Sequence, residues 1–424
     1  IRVDMRQTGT GLCLVVLAAL LFGVVGPIAA GFVQTGRAAF GLMPVVGAHG
    51  SGLEVWRSLC ALPGFWTSVR LTLWIGFAAT FLSLTLATCF CATAHARMTG
   101  RSAARWLAPL LAAPHTAVAI GLAFVLAPSG WIARLLAPLV GWVRPPDLAL
   151  INDPWGIALI LGLMIKEIPF LLLVMLAALS QIPVQQHMAA ARGLGYRRSV
   201  VWVKIIAPQV WPLIRLPVLV VLAYSLSTVE MGIILGPSNP PVFSVFVMRL
   251  FMAPDLAMIL PASAGALMLA FLMGVASATL FVAERLVRYT GLWWIRAGGR
   301  SSTVKPLLRI ASLCVVALFV IGALAMVSLV FWSLAWRWPW PSMLPETWSF
   351  QPWRNAAGVL GSALGNTLLI AGASVFVSLA LAILWLEGED RKGRGRAGWG
   401  EVLIYLPRLL PQIAFLYGLN MLFL

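Results

Sequence analysis

Nine apolar stretches, each long enough to cross a lipid bilayer, constrain this chain more than any other feature. They lie at about 11–32, 66–92, 106–127, 154–179, 211–235, 257–283, 310–333, 361–386 and 403–424. A transmembrane helix needs roughly 20 apolar residues in a row, and 61% of the 424 residues are hydrophobic while only 10% are charged. So little polar surface cannot coat a water-soluble globule. Transmembrane strands would read as short alternating segments. The expected fold is therefore an all-α polytopic transmembrane helical bundle.

A formal net charge of +17 would suit a nucleic-acid partner in a soluble protein, but its distribution points to membrane lipid instead. With the N-terminus in the cytoplasm, Arg2 and Arg6, Arg97 to Arg105, Arg192 to Arg215, Arg285 to Arg309 and Arg391 to Arg408 all fall on the inner side. That is the positive-inside bias of multi-pass proteins, and it argues against nucleic acid. Residues 1–32 hold an apolar core longer than the roughly 7–15 residues of a secretory signal, so they read as a retained first span. Cys89-x-Cys91 lacks a second ligand pair, and His49, His95, His115 and His187 are scattered. No metal, no bound cofactor and no catalytic group is expected. Gly-x-x-x-x-Gly-Lys-Ser/Thr, the phosphate-binding loop of ATPases, does not occur, and Gly388–Gly400 carries its lysine in the wrong place. The chain is not expected to be an enzyme.

An internal repeat organises the chain. Thr72–Ala87 aligns without a gap on Thr367–Ala382 with nine of sixteen positions identical, at an offset of 295. Pro114, Ala117, Gly121 and Leu122 match Pro411, Ala414, Gly418 and Leu419 at an offset of 297. Spans 2 and 3 thus pair with spans 8 and 9. An even shift keeps both copies in one orientation, so the halves should be related by a pseudo-two-fold along the membrane normal, with the substrate path between them. The expected division is 1–300 for the first half and 301–424 for the start of the second. At the 297-residue offset a copy of Gly195 would fall beyond Leu424, and the first residue is Ile1. The expectation is a fragment that stops before the second half's own loop.

Between the fourth and fifth runs lies a polar loop, 184–208. After Pro183, Val184–Arg192 forms helix readily, and Ala189, Ala190 and Ala191 would let another surface approach closely. Gly193 and Gly195 supply the turn that stops it. A second short helix over Tyr196–Ala207 would turn Val200, Trp202 or Ile206 inward while Arg197, Arg198 and Lys204 meet lipid phosphates. Pro208 and Pro212 would then permit a sharp entry into the next span. By local physics alone this is equally an ordinary interfacial hairpin.

Ala189 to Pro208 closely resembles the EAA loop of ABC importer permeases, whose pattern is Glu-Ala-Ala, three residues, Gly, then twelve residues and a Leu-Pro. Ala190, Ala191, Gly195, Ile205 and Pro208 match in register; Ala189 stands in place of the glutamate and Ala207 in place of the leucine. Together with the repeat, the chain resembles the fused, two-half permeases of iron(III), thiamine and sulfate importers. The resemblance implies a bacterial inner-membrane permease served by two cytoplasmic ABC ATPase subunits, which bind the ATP and Mg, and by a periplasmic solute-binding protein. It further implies that Ala189, Ala190, Ala191, Arg192, Gly193, Gly195, Ile205 and Pro208 belong to the ATPase-coupling loop.

Lys166, Glu167 and Glu230 are ionisable residues inside apolar runs, where they are costly and usually face a cavity or a partner. They are candidates for the translocation path, with interhelix bonding as the alternative. Pro114 and Pro169 should break their helices locally. The outer turn Pro237–Pro241 is a candidate contact for the binding protein. The competing class is a 6+6 secondary transporter: Asp390-Arg391-Lys392-Gly393-Arg394 resembles a loop of the major facilitator superfamily, but an ordered loop at 184–208 has no role there.

Overall fold

A computed structural model describes residues 2–44, 52–94, 100–148, 150–298, 305–392 and 410–421. Among them, eight helices are long and apolar enough to cross a membrane: Gly11–Ala39, Phe65–Ala94, His115–Val140, Ile157–Leu179, Arg198–Ser227, Leu256–Arg296, Pro306–Leu334 and Gln351–Gly388. These correspond to the first eight apolar runs. The ninth lies mostly outside the described residues, as does most of Gly388–Gly400.

In chain order the elements are α1 (Arg2–Leu20), α2 (Gly26–Ala39), α3 (Glu54–Ala61), α4 (Phe65–Ala94), α5 (Gly100–Ala112), α6 (His115–Leu126), α7 (Trp131–Val140) and α8 (Ile157–Leu179). The loop helices α9 (Val184–Gly193) and α10 (Arg198–Val201) follow, then α11 (Ala207–Ser227), α12 (Glu230–Leu235), α13 (Phe243–Phe251) and α14 (Ile259–Arg296). After α15 (Lys305–Leu334), a two-stranded antiparallel hairpin of β1 (Ala335–Arg337) and β2 (Thr347–Trp348) leads to α16 (Gln351–Lys392) and α17 (Gln412–Met421).

The main core gathers α4, α8, α11 and α15 around α8, whose Leu163, Ile165, Ile168 and Leu171 are fully buried. By contrast, α16 is exposed along nearly its whole length, an apolar surface that only lipid or further helices can cover.

Prolines mark the departures from simple spans. Pro114 takes an extended conformation between α5 and α6, as its sequence suggests. Pro169 does not break its helix: α8 runs unbroken from Ile157 to Leu179, because tight burial on all sides holds the backbone in line. Nor does Pro208 force a sharp entry. The helix continues from α10 through a π-helical turn, Trp202–Ile206, into α11. A proline ring clashes with the carbonyl four residues back, here Lys204, and the wider π turn relieves that clash. The same device, Leu21–Val25, precedes Pro27 between α1 and α2.

Two close helix crossings hold the outer spans. A Cβ at Gly121 of α6 would run into the backbone oxygen of Ala325 on α15, and the Ser328 hydroxyl donates to the Gly121 carbonyl at 3.1 Å. A Cβ at Gly418 of α17 would run into the backbone oxygen of Gly31 on α2, and Thr35 Oγ1 donates to the Ala414 carbonyl at 2.6 Å. Gly121 and Gly418 are repeat partners, and Gly31 and Ser328 stand at the same 297-residue offset. Such small-residue contacts let backbones approach closely in lipid. On the far side, Arg134 of α7 clamps the segment after α15, donating to the carbonyls of Pro339 and Ser342 at 2.8 and 2.6 Å and lying over the Trp338 ring.

Candidate functional site: an exposed loop elbow and the polar residues at two helix breaks

α9 is amphipathic in the literal sense of two faces. Val184, Met188 and Ala191, spaced four and three residues apart, are buried against the bundle. Ala189, Ala190, Arg192, Gly193, Leu194 and Gly195 are exposed, Leu194 at 64%. Gly195 closes the helix with φ of +81°, and the amide of Tyr196 bonds back to the Ala191 carbonyl at 3.0 Å. Only a residue without Cβ adopts that geometry freely. Gly193 is helical, so the turn rests on Gly195 alone.

Past the elbow, Val200, Trp202 and Ile206 turn inward as their apolar character requires. Lys204 does not meet lipid phosphates. It is buried, its Nζ donates to the Trp294 carbonyl at 3.1 Å, and it stands 4.5 Å from the centre of the Trp294 ring. The stem of a lysine at this depth packs as an apolar chain while its head finds a carbonyl and an aromatic face. Lys204 thereby ties the loop to the end of α14. Ile205 is half-buried, and Pro208 occupies the first turn of α11.

Lys166 and Glu230 stand beside two helix breaks, whereas Glu167 is buried in the middle of α8. Lys166 spans from α8 to the end of α5, where its Nζ donates to the carbonyls of Leu110, Leu111 and Ala113 at 2.8, 3.2 and 2.7 Å. Those carbonyls are orphaned by the break at Pro114, and a cation suits the negative end of a helix. Lys166 is thus not ion-paired with its neighbour Glu167; no ion pair among the described residues involves either. Glu230 opens α12 after the second break, at Thr228 and Val229, and accepts from Thr116 Oγ1 on α6 at 2.7 Å. The rings of His115 and Tyr224 lie 4.6 Å apart. His115, Thr116, Tyr224 and Thr228 were not singled out from the sequence; the signal available was their position beside Pro114 and before Glu230.

No protein-family model matches the chain. It is 29% identical over 310 residues, 73% of its length, to the inner membrane ABC transporter permease protein YnjC of Escherichia coli, and it spans about half, 52%, of that relative. A bundle of eight membrane-length helices with an ordered, small-residue elbow thus stands in a chain similar, over most of its length, to a bacterial ABC transporter permease.

Proposed function

We propose that this chain is the membrane permease subunit of an ATP-driven ABC importer in the bacterial inner membrane, with its N-terminus in the cytoplasm. Two cytoplasmic ABC ATPase subunits would bind ATP and Mg and close on hydrolysis-linked cycles, and a periplasmic solute-binding protein would deliver the solute. The observation that carries the reading is the exposed face of α9, with Ala189, Ala190, Gly193 and Gly195 free while Val184, Met188 and Ala191 anchor the helix. Small side chains offer a partner close backbone approach, and the buried anchor makes the helix a rigid lever. Rigidity is needed because a partner shifts a conformational equilibrium only by binding its two states differently.

The division into a first half, 1–300, and the beginning of a second, 301–424, is part of the same reading. It is supported by the repeat and by the two crossings, Gly121 on α15 and Gly418 on α2, which exchange the first span of each half with the third span of the other. Rocking of the halves would open the path alternately to each side. Within it, Glu167 and Glu230 line the route and Lys166 braces the broken helix beside it.

The deciding experiment is co-purification of the chain with an ABC ATPase, followed by nucleotide-dependent uptake in vesicles. Gly195→Arg should insert normally but lose ATPase capture and uptake. Uptake driven by an ion gradient with no ATPase present would overturn the reading.

A further inference from the structure

We infer that the last turns of α14 are a binding surface for anionic phospholipid headgroups, on the side of the bilayer that carries the 184–208 loop.

α14 has 38 residues, roughly 57 Å at 1.5 Å per residue, of which the hydrocarbon core takes only about 20. Its apolar run closes near residue 283, so 284–296 lies beyond it. This end is held beside the loop. Lys204 donates at 3.1 Å to the carbonyl of Trp294, one of those that a helix terminus leaves without an internal partner.

Two kinds of side chain share the segment. Leu286, Val287, Tyr289, Leu292, Trp293 and Ile295 are 47–78% exposed. Arg285, Arg288 and Arg296 are exposed as well, and no ion pair among the described residues reaches any of them, although Glu284 stands next to Arg285. At about 100° per residue the three arginines fall on one stripe, roughly 80° wide, on the other side of the helix from Trp294 and its contact with Lys204.

That mixture excludes both uniform environments. Three arginines oppose hydrocarbon, and six large apolar side chains oppose bulk water. The headgroup layer accepts both: the apolar side chains turn toward the acyl region while the guanidinium groups meet phosphates with paired N–H donors. Tyrosine and tryptophan also concentrate there. α16 is the contrast. It too is exposed, but no charged residue occurs between Arg354 and Glu387, which suits hydrocarbon or neighbouring helices. Charge then selects the lipid. Three arginines against Glu284 favour anionic headgroups, by about fivefold in affinity for each basic side chain near the surface, whereas a zwitterionic headgroup offers no net charge.

The test titrates the full chain in non-ionic detergent with fluorescent phosphatidylglycerol, and with phosphatidylcholine of the same acyl chains as control. Saturable, salt-sensitive binding of phosphatidylglycerol alone is expected. Arg285→Gln, Arg288→Gln and Arg296→Gln combined should lower its affinity by roughly a hundredfold. Arg37→Gln, Arg57→Gln and Arg70→Gln combined remove the same charge near the opposite end of α14 and should leave it unchanged. Equal binding of both lipids, or equal losses in the two triple variants, would overturn the inference. Should the first triple variant fail to fold, a photoreactive phenylalanine analogue in place of Tyr289 gives an independent reading. Illuminated in cell membranes it should crosslink to phospholipid; a crosslink to a protein instead would assign the surface to a protein partner and overturn the inference. The lipid titration contains no ATPase, so its failure leaves the permease reading standing, and failure of ATPase capture through α9 leaves the lipid surface standing.

Discussion

Lys204 Nζ bonds the backbone carbonyl of Trp294 at 3.1 Å and rests 4.5 Å from the centre of its ring. This joins the loop after the elbow to the far end of α14, a 38-residue helix. Under the proposed role of α9, force received there would reach α14 as well as α11. Replacing Lys204 with Met keeps much of the apolar stem but removes the hydrogen bond and the cation–ring contact. We expect a loss of about 1–2 kcal/mol in the anchoring of the loop. ATP hydrolysis by a bound ATPase should persist while uptake per ATP falls; equal uptake per ATP would dissociate α14 from the lever.

Substitutions at Gly195 would separate conformation from the proposed docking. Nothing lies within 4 Å of a Cβ built there, so Gly195→Ala meets no steric obstacle beyond its φ of +81°. It should cost about 1 kcal/mol through backbone strain alone. Gly195→Arg carries the same strain plus a bulky charge on the exposed face. Near-native coupling in the Ala variant and lost coupling in the Arg variant, measured by ATPase pull-down at equal membrane levels, would assign the effect to the docking surface.

Lys166 should matter for stability. Lys166→Met leaves the carbonyls of Leu110, Leu111 and Ala113 without their shared donor, at a cost of about 1–3 kcal/mol or more. Thermal unfolding in detergent should begin at a lower temperature than in the native chain. Lys166→Arg retains the charge but presents a broad planar fork to a site shaped for a compact ammonium, and should recover only part of the loss.

The helix crossings give a paired test. At both Gly121 and Gly418 an added Cβ meets a backbone oxygen rather than a yielding side chain. Gly121→Leu and Gly418→Leu should each part the crossing helices and lower stability by about 1–3 kcal/mol as overpacked sites do. Cysteine crosslinking between α6 and α15, and between α2 and α17, should weaken only at the crossing that carries the substitution.

Much of the architecture was legible residue by residue. Apolar length is a local property, so eight membrane-length helices stand where the first eight runs lie. The elbow was legible too, since a left-handed turn after an alanine-rich helix calls for glycine, although only Gly195 and not Gly193 takes that conformation. Proline was less informative. Pro114 breaks its helix and Pro169 does not, because the outcome depends on whether neighbours hold the surrounding backbone, which no local pattern records.

Partner choice for the polar side chains was decided by the tertiary structure alone. Lys166 and Ala113 are 53 residues apart, Lys204 and Trp294 90, and Thr116 and Glu230 114. Apolar side chains declare their solvent preference wherever they stand, so the places of the eight described spans follow from the amino-acid order itself. A buried charge declares only that it needs a partner. Which one it takes, a helix end, an aromatic ring or a hydroxyl, is settled by which helices the fold brings within hydrogen-bond reach.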